Sequence, residues 1–482
     1  MRSTRSTLFK TCIAGMLLFA FSSVSLAQPA PRPKPQLDGL EMKVDNLIRD
    51  YAALDIFSGV VLIADNGRPI YQKAFGMADR SKKIKNTLNT KFDIGSMNKT
   101  FTDVVLLQLM DEGKLSIEDP VGKFLPAFSK GDFGKITIEM LMTHSSGLGQ
   151  YYDRPGFFEA PASEKDIASL VKSIQTMPLM FEPGNGQEYS NSGYILLGAT
   201  IEAITGKSYF DNVRERIVEP LGLKNTWLTR TGVPDRSIGY LKTMTGGIRD
   251  NISFNEPANP DGGFMSTALD VMTFYREYYN GTTLLSEEAK MRGPFFNMIQ
   301  PHRTTGAAIP HAGGANGINA VNMEIMRDGI TIVVLANMDE PVAEKISFGI
   351  LAIIRGQEPD APALPVMQEV YQAYTEHGIK YVKQHFERLT KNAHPADPKA
   401  VILNQMGYNM LFSGNLSAAL EMFKLNTELF PDDPNVWDSH GEALRKKGDR
   451  DAALTSYRKA LALDPQFPSA REAVAELEKE GE

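Results

Sequence analysis

The chain has 482 residues, more than one compact core usually holds, so two or three domains are expected. Its formal net charge is -7, and without a basic excess it is not expected to bind nucleic acid. Cys12 is the only cysteine and lies within residues 1–27, so the rest of the chain has no disulfide and no cysteine metal ligand.

Residues 1–27 have the pattern of a secretory signal peptide. Positive residues precede an apolar run, from Ile13 to Phe21, that is too short to span a bilayer. A small-x-small site predicts cleavage between Ala27 and Gln28. We therefore expect a periplasmic or secreted protein with no stable membrane anchor after cleavage, and a retained anchor is the alternative.

Strand-like and helical patterns follow one another along the next part of the chain. Strand-like runs occur in two pairs, at 57–64 with 69–75 and at 323–326 with 330–335. Helical patterns occupy 40–54, 97–112 and 342–355. Between about 115 and 290, helices alternate with Gly- and Pro-rich loops. This order of strand-like and helical patterns predicts one domain that contains both helices and strands.

The C-terminal part contains an internal repeat. Similar residues recur at a spacing of 34: Gly407/Gly441, Gly414/Gly448, Ala419/Ala453, Phe423/Tyr457 and Pro431/Pro465. This period resembles the tetratricopeptide repeat over about 400–467, with a capping helix at 468–480. Two repeats are marginal alone, so helices predicted at 364–377 and 378–392 are expected to complete the stack.

Five segments result from these patterns. They are a signal peptide at 1–27, a Pro-rich leader at 28–39, a catalytic domain at 40–356, a linker at 357–365 and a helical repeat domain at 366–482. The linker is marked by its three prolines. The repeat domain is expected to bind a protein partner.

Short patterns that suit a nucleophilic serine occur more than once. Ser-x-x-Lys occurs at Ser96/Lys99, Ser169/Lys172 and Ser456/Lys459, and Tyr-x-Asn at Tyr189/Asn191 and Tyr278/Asn280. Ser96 is distinguished because Gly95 precedes it and an apolar helix follows, which predicts a helix N-terminus that favours developing negative charge. The plain alternative is that Ser96 only caps that helix.

The order of further motifs carries more information than any one of them. The series is Gly95-Ser96-Met97-Asn98-Lys99, Thr143-His144-Ser145-Ser146-Gly147, Tyr189-Ser190-Asn191, Pro220-Leu221-Gly222-Leu223, Gly262-Gly263-Phe264 and His311-Ala312-Gly313-Gly314. It resembles the class C β-lactamase, penicillin-binding protein and serine esterase family over about 40–355. The resemblance implies an antiparallel sheet flanked by helices, a mostly helical half at about 120–290, and a site between them.

The resemblance also implies roles for individual residues. Ser96 is the nucleophile, and its base is either a neutral Lys99 or a tyrosinate form of Tyr189. Asn191 holds Lys99 and the substrate. The N–H groups of Ser96 and Gly314 donate hydrogen bonds to the oxyanion, with Gly313 allowing close approach. His144 is interpreted as a residue that fixes its loop by a hydrogen bond.

The family has three catalytic motifs, and the third, which follows Ser-x-x-Lys and Tyr-x-Asn, departs from the family pattern in this chain. His311, Ala312 and Gly313 stand where Lys-Thr-Gly or Lys-Ser-Gly is usual. A lysine is a cation that suits a substrate carboxylate, whereas a histidine is mostly neutral at pH 7. Histidine here is similar to the esterase and D-aminopeptidase branches, so His311 is expected to contact substrate and β-lactam turnover is doubtful.

The predicted function is therefore hydrolysis of an ester or amide, of the esterase or D-amino-acid peptidase type, through an acyl-serine. The substrate is a small molecule or a peptide, and no metal and no cofactor are expected. The alternative is a catalytically weak protein that binds a peptide or cell-wall fragment, with the repeat recruiting partners.

Overall fold

A computed structural model describes residues 35–254, 256–393 and 398–479. The predicted signal peptide, Cys12 and most of the leader lie outside the described residues. The chain forms two compact units: one holds the residues up to Leu241 with Arg249–Pro362, and the other holds Lys242–Ile248 with the residues from Ala363 onward. Within the described ranges, no helix is long and apolar enough to cross a membrane.

Strands occur mainly at the two ends of the first unit. In chain order they are β1 (Gly59–Asp65), β2 (Arg68–Phe75), β3 (Met77–Asp79), β4 (Ile84–Lys85), β5 (Phe92–Asp93), β6 (Tyr240–Lys242), β7 (Ile248–Asp250), β8 (Met265–Ser266), β9 (Ile309–Ala315), β10 (Ile318–Ile325) and β11 (Ile330–Ala336).

Helices of the first unit lie before, between and after these strands. They are α1 (Leu40–Ala53), α2 (Lys99–Asp111), α3 (Ile138–Met142), α4 (Ile167–Gln175), α5 (Asn191–Thr205), α6 (Tyr209–Val213), α7 (Glu219–Leu221), α8 (Ala268–Asn280), α9 (Glu287–Met291), α10 (Phe296–Ile299), α11 (His302–Thr305) and α12 (Val342–Ile354).

The main sheet joins the two ends of the first unit. Its five antiparallel strands have the order β2-β1-β11-β10-β9, and Gly59 of β1 pairs with Ala336 of β11. The predicted antiparallel sheet is confirmed. The sequence patterns had predicted a single hairpin near 323–335, but Gly317, at φ 70°, turns the chain so that β9 adds an edge strand.

Helix α2 runs through the helical half and is buried on every side. Its residues from Lys99 to Leu107 are all buried, and Phe101 stacks on Phe274 of α8 with ring centroids 3.7 Å apart. A helix that is buried all round requires neighbours on each face, and α5 and α8 supply two of them. The first residue of α2 is therefore held in a rigid, dry setting.

The second unit is a stack of antiparallel helices. They are α13 (Val366–His377), α14 (Ile379–Leu389), α15 (Lys399–Phe412), α16 (Leu416–Leu429), α17 (Pro434–Lys447), α18 (Arg450–Leu463) and α19 (Pro468–Lys479).

The repeat period has a packing reason in this stack. A Cβ on Gly407 would lie 2.6 Å from the Phe423 ring, and one on Gly441 would lie 2.9 Å from the Tyr457 ring. Each glycine thus leaves room for the aromatic ring of the helix with which its own helix pairs. The same contact recurs at the same position in successive helix pairs. Met244, from the loop between β6 and β7, packs against the apolar core of this unit.

Candidate active site

Ser96 lies in a tight 3-10 turn, Gly95–Asn98, that leads into α2. The helix itself has Asn98 at its N-cap and no side-chain capping bond, so Ser96 does not cap it. Edge strand β9 packs directly on the turn. A Cβ on Gly95 would lie 2.6 Å from the backbone nitrogen of Gly314, and one on Gly313 would lie 2.7 Å from that of Ser96.

Lys99 follows one turn later and points back at Ser96. Its Nζ lies 3.1 Å from Ser96 Oγ and 2.7 Å from Asn191 Oδ1. A third acceptor, the backbone carbonyl oxygen of Asp261, lies 2.6 Å away. Burial disfavours the charged form and lowers the pKa of Lys99 to about 8. The amine is therefore poised to exchange a proton near neutral pH.

Tyr189 approaches Ser96 from the loop that precedes α5. Its hydroxyl donates a hydrogen bond to Ser96 Oγ at 2.8 Å. Burial raises the pKa of Tyr189 well above its usual range, and the negative charges of Asp261 and Glu340 add to the effect. The phenol consequently stays protonated near neutral pH.

His144 holds this loop, as the sequence predicted. Its Nδ1 accepts the backbone N–H of Ser190 at 3.2 Å, and its ring lies 4.5 Å from the Tyr189 ring. The residue has φ 58°, in the left-handed region. Burial, reinforced by the charge of Lys99, lowers the pKa of His144 to about 3, so the imidazole is neutral.

Gln150 is a site residue that no sequence pattern had indicated. Its Nε2 donates to the carbonyl oxygen of Tyr189 at 2.6 Å, and its Oε1 accepts the backbone N–H and Nδ2 of Asn191 at 3.0 and 3.2 Å. These bonds orient the Asn191 amide so that its oxygen faces Lys99. A single glutamine in a loop carries no periodic signal, which is why it was missed.

The loop that supplies the Asp261 carbonyl is anchored under the turn by Asn98. Asn98 Nδ2 donates to the carbonyl oxygens of Asn259 and Pro260, each at 3.2 Å. The Asp261 carboxylate accepts the Tyr151 hydroxyl hydrogen at 2.9 Å. The Gly262-Gly263 motif was the only sequence signal for this loop.

A cavity of about 190 Å³ opens beside Ser96. Asn191 and Gly314, two of the residues predicted to bind substrate, line it together with Ser96. Other parts of the wall are aromatic or carry charge: Tyr151, Tyr152, Phe157, Phe158, Arg230 and Arg236. The space suits a small substrate, or the end of a larger one, with apolar and charged portions.

His311 does not line this cavity. Its ring packs between Tyr275 and Tyr279, at centroid distances of 4.8 and 5.6 Å, and its Nε2 bonds the Tyr279 hydroxyl. Burial lowers the pKa of His311 to about 4. The structure thus brings together Ser96, Lys99, Tyr189, Asn191, Gly313 and Gly314, and it gives no support to the predicted contact between His311 and substrate.

The other Ser-x-x-Lys matches have structural explanations. Ser169 lies in the first turn of α4, and its backbone N–H donates a hydrogen bond to the capping carboxylate of Asp166. Ser456 is buried in the repeat and donates to the carbonyl oxygen of Trp437 at 2.9 Å. Neither serine has the Lys–Tyr pair that surrounds Ser96.

Comparison with known families identifies both parts of the chain. The beta-lactamase family model matches residues 44–348, and a TPR repeat model matches residues 441–477. This chain belongs to the beta-lactamase family. It is a serine hydrolase with a C-terminal helical repeat, and the fold and family expected from the ordered motifs are confirmed.

Named relatives are hydrolases and penicillin-binding proteins. Teichoic acid D-alanine hydrolase of Staphylococcus aureus is 37% identical over 179 residues, which cover 37% of this chain and 43% of that protein. Penicillin-binding protein 4* of Bacillus subtilis is 27% identical over 344 residues, covering 64% of this chain and 75% of that protein. The chain thus spans less than half the length of the teichoic acid D-alanine hydrolases it matches.

A solved structure shares the fold of the first unit. A D-stereospecific amidohydrolase from Streptomyces sp. superposes with a TM-score of 0.54 and 26% identity, covering 66% of this chain and 98% of that chain.

Proposed function

We propose that this protein hydrolyses an ester or a D-amino-acid amide through an acyl intermediate on Ser96. The observation that carries the proposal is the position of Ser96 Oγ, 3.1 Å from Lys99 Nζ and 2.8 Å from the Tyr189 hydroxyl. A serine hydroxyl is a weak nucleophile and needs a base within hydrogen-bond reach. Two proton-exchanging groups stand at that distance.

The hydrogen-bond pattern favours Lys99 as the base. A neutral amine has two hydrogens and one lone pair. Asn191 Oδ1 and the Asp261 carbonyl oxygen are both acceptors, so they take the two hydrogens and leave the lone pair facing Ser96 Oγ. With a pKa of about 8, roughly a tenth of Lys99 is neutral at pH 7. A tyrosinate at Tyr189 is far less accessible because burial raises its pKa.

The proposed chemistry has two steps. Ser96 Oγ bonds to the substrate carbonyl carbon while its proton passes to Lys99. The tetrahedral oxyanion is held by the N–H groups of Ser96 and Gly314. The bond to the leaving alcohol or amine then breaks as Tyr189 donates its proton to that group and recovers one from Lys99. Water, deprotonated by the same pair, releases the acid and restores Ser96.

The substrate class rests on the third motif and on the relatives. Strand β9 (Ile309–Ala315), which carries this motif, contains no lysine, and its His311 is packed between tyrosines. The relatives include a teichoic acid D-alanine hydrolase and a D-stereospecific amidohydrolase. We propose an acyl group of the D-alanyl type, carried as an ester or amide, in preference to a β-lactam.

Export and partner binding complete the proposal. The pattern at residues 1–27 supports cleavage after Ala27 and a periplasmic or secreted location. The helical repeat supports binding of a protein partner. Sequencing the N-terminus of the protein recovered from the culture medium or periplasm tests the first point.

The decisive experiment is covalent labelling. A fluorophosphonate should modify the wild-type protein at Ser96, as located by mass spectrometry of peptides, and hydrolysis of small esters should stop with labelling. Ser96→Ala should remove both the labelling and the ester hydrolysis, whereas the matched control Ser169→Ala should retain both activities. An adduct on another serine, or ester hydrolysis that survives in Ser96→Ala, would contradict the proposal. Absence of any label would favour the binding-only alternative.

A further inference from the structure

Arg230 and Arg236 both line the cavity, but their hydrogen-bond partners differ. Arg230 is an internal structural cation. Its Nε donates to Asp93 Oδ2, and its Nη1 donates to the carbonyl oxygen of Glu256 at 2.6 Å. Burial opposes its charge, but Asp93 more than offsets this and raises the pKa of Arg230.

Arg236, in contrast, donates no hydrogen bond to a carboxylate within the described ranges. Its Nη1 donates to the carbonyl oxygen of Arg230, and its Nε is buried without a hydrogen-bond partner. Within the described ranges it forms no ion pair with a carboxylate. Burial lowers the pKa of Arg236, the negative charge of Asp93 opposes this and the positive charge of Arg230 adds to it, yet an arginine remains charged at any physiological pH.

The carboxylates of the same wall are already engaged. Asp93 accepts the Gly95 N–H through Oδ1 at 2.8 Å and Arg230 through Oδ2. Glu256 pairs with Lys165 at 2.9 Å. Asp261 accepts the Tyr151 hydroxyl hydrogen. A direct ion pair between Arg236 and one of these carboxylates would break one of these bonds, so Arg236 has no ion-pair partner of its own in the wall.

A half-buried guanidinium without an anion is costly unless a ligand supplies one. We propose that Arg236 is a substrate-recognition residue that binds an anionic group, a carboxylate or a phosphate, on a part of the substrate away from the scissile bond. Planar guanidinium donors suit both groups, which can accept two parallel hydrogen bonds. The proposal rests on the proposed function of the site and narrows its substrate class to anionic esters or amides.

A purely structural role for Arg236 makes a different prediction. Its bond to the Arg230 carbonyl oxygen holds the loop that carries Arg230, and loss of that bond would impair every substrate equally. A recognition role affects only substrates that carry the anion. The readout that separates the two roles is therefore a ratio between matched substrates.

The test compares esters that differ only in one charge. Each anionic ester, bearing a terminal carboxylate or phosphate, is paired with a neutral ester that has a primary amide in place of the anion, with the charge on the acyl side in one set and on the alcohol side in another. For at least one placement, kcat/KM of the full-length protein should favour the anion by about tenfold or more. The carboxylate and phosphate sets identify which anion is preferred.

Variants then assign the preference to one residue. Arg236→Gln should remove it while changing kcat/KM of the neutral esters by less than about threefold, and Arg236→Lys should retain part of it. Lys172→Gln, which removes an exposed charge on α4, is the control and should leave the ratio unchanged. No preference at either placement, or equal losses for both members of a pair in Arg236→Gln, would overturn the proposal.

Binding measurements keep this inference separate from the proposed function. If the wild-type protein cleaves the neutral esters without an anionic preference, the hydrolase proposal stands and the Arg236 proposal fails. If no ester is cleaved, calorimetric titration of Ser96→Ala with the same pairs decides. Tighter binding of the anionic member, lost when Arg236→Gln is added, supports the proposal, and equal binding refutes it.

Discussion

The backbone carbonyl oxygen of Asp261 lies 2.6 Å from Nζ of Lys99. A carbonyl oxygen accepts hydrogen bonds and has no proton to give, so it fixes the direction of one amine hydrogen in either protonation state. Asn191 Oδ1 fixes the direction of a second amine hydrogen. The remaining position on Lys99 Nζ therefore points at Ser96 Oγ. The protonation state of Lys99 then decides whether that direction holds a hydrogen or a lone pair.

Ester hydrolysis is therefore predicted to rise with pH through the pKa of Lys99. With that pKa lowered by burial to about 8, kcat/KM should climb from pH 6 and level off above about pH 8.5. If Tyr189 were the base, its raised pKa would keep the rate climbing beyond pH 10. A pH profile of kcat/KM for one neutral ester separates the two cases.

Acid stability should depend on His144. Its folded pKa of about 3 lies below the ordinary value of 6.5, so the unfolded state binds the proton more readily. The native state keeps its full stability above pH 6.5 and loses it as pH falls, by about 2 kcal/mol at pH 5.

The variant His144→Asn tests this because asparagine tolerates the left-handed backbone and can accept the Ser190 N–H. The melting temperature of the variant should fall less between pH 7 and pH 4 than that of the wild type. Parallel curves for the two proteins would show that His144 is not the group that titrates.

A neutral linear ester should be hydrolysed with a higher kcat/KM than a cephalosporin. A cephalosporin carries its carboxylate close to the reacting carbonyl. A Cβ on Gly314 would lie 1.4 Å from Glu340 Oε1, so an anion already lies against β9 at the residue proposed to bind the oxyanion. The negative charge of Glu340 also acts on Tyr189. A cephalosporin that is turned over faster than every ester would contradict this.

The hydrolase unit is predicted to work without the repeat. The first unit extends to Pro362, beyond the boundary predicted at Gly356, and Pro359 lies beside Gly349 of α12. A chain ending at Pro362 should stay folded and keep kcat for small esters within about threefold. Met244→Ser should accompany the truncation because Met244 packs in the core of the second unit.

Thermal unfolding and small-ester kinetics of this truncated protein provide the check. Insoluble protein, or a loss of more than about tenfold in kcat, which is roughly 1.4 kcal/mol of barrier, would make the repeat part of the catalytic unit. The same protein cut after Gly356 should be less stable, since it lacks Pro359.

Features with a local pattern could be predicted from the sequence. Strand-like runs on either side of the turn at Asp65–Arg68 predicted the first hairpin, and Gly407/Gly441 with Phe423/Tyr457 predicted the repeat because each contact recurs at one spacing. Ser96 and Lys99 lie one turn apart, so their proximity follows from helical geometry.

Features that depend on tertiary packing could not be predicted. Gln150 and Asp261 reach the site from separate loops, and no spacing in the sequence relates them to Lys99. His311 occupies the expected motif, but the local conformation of β9 directs its side chain to Tyr275 and Tyr279. A motif gives the position of a residue on a strand, and only the packing of the strand gives its direction.

The pairing of β1 with β11 bears on how the chain can fold. Gly59 pairs with Phe75 of β2 on one side, but its partner on the other side is Ala336, so the five-stranded sheet cannot form until most of the first unit has been synthesised. Contacts this far apart in sequence carry a large loop-closure entropy and slow folding. In the repeat, contacts join helices that are neighbours in the sequence, so this part of the chain can form quickly. The proposed export would benefit from this late folding, because a chain that is still unfolded can be threaded through a translocation channel.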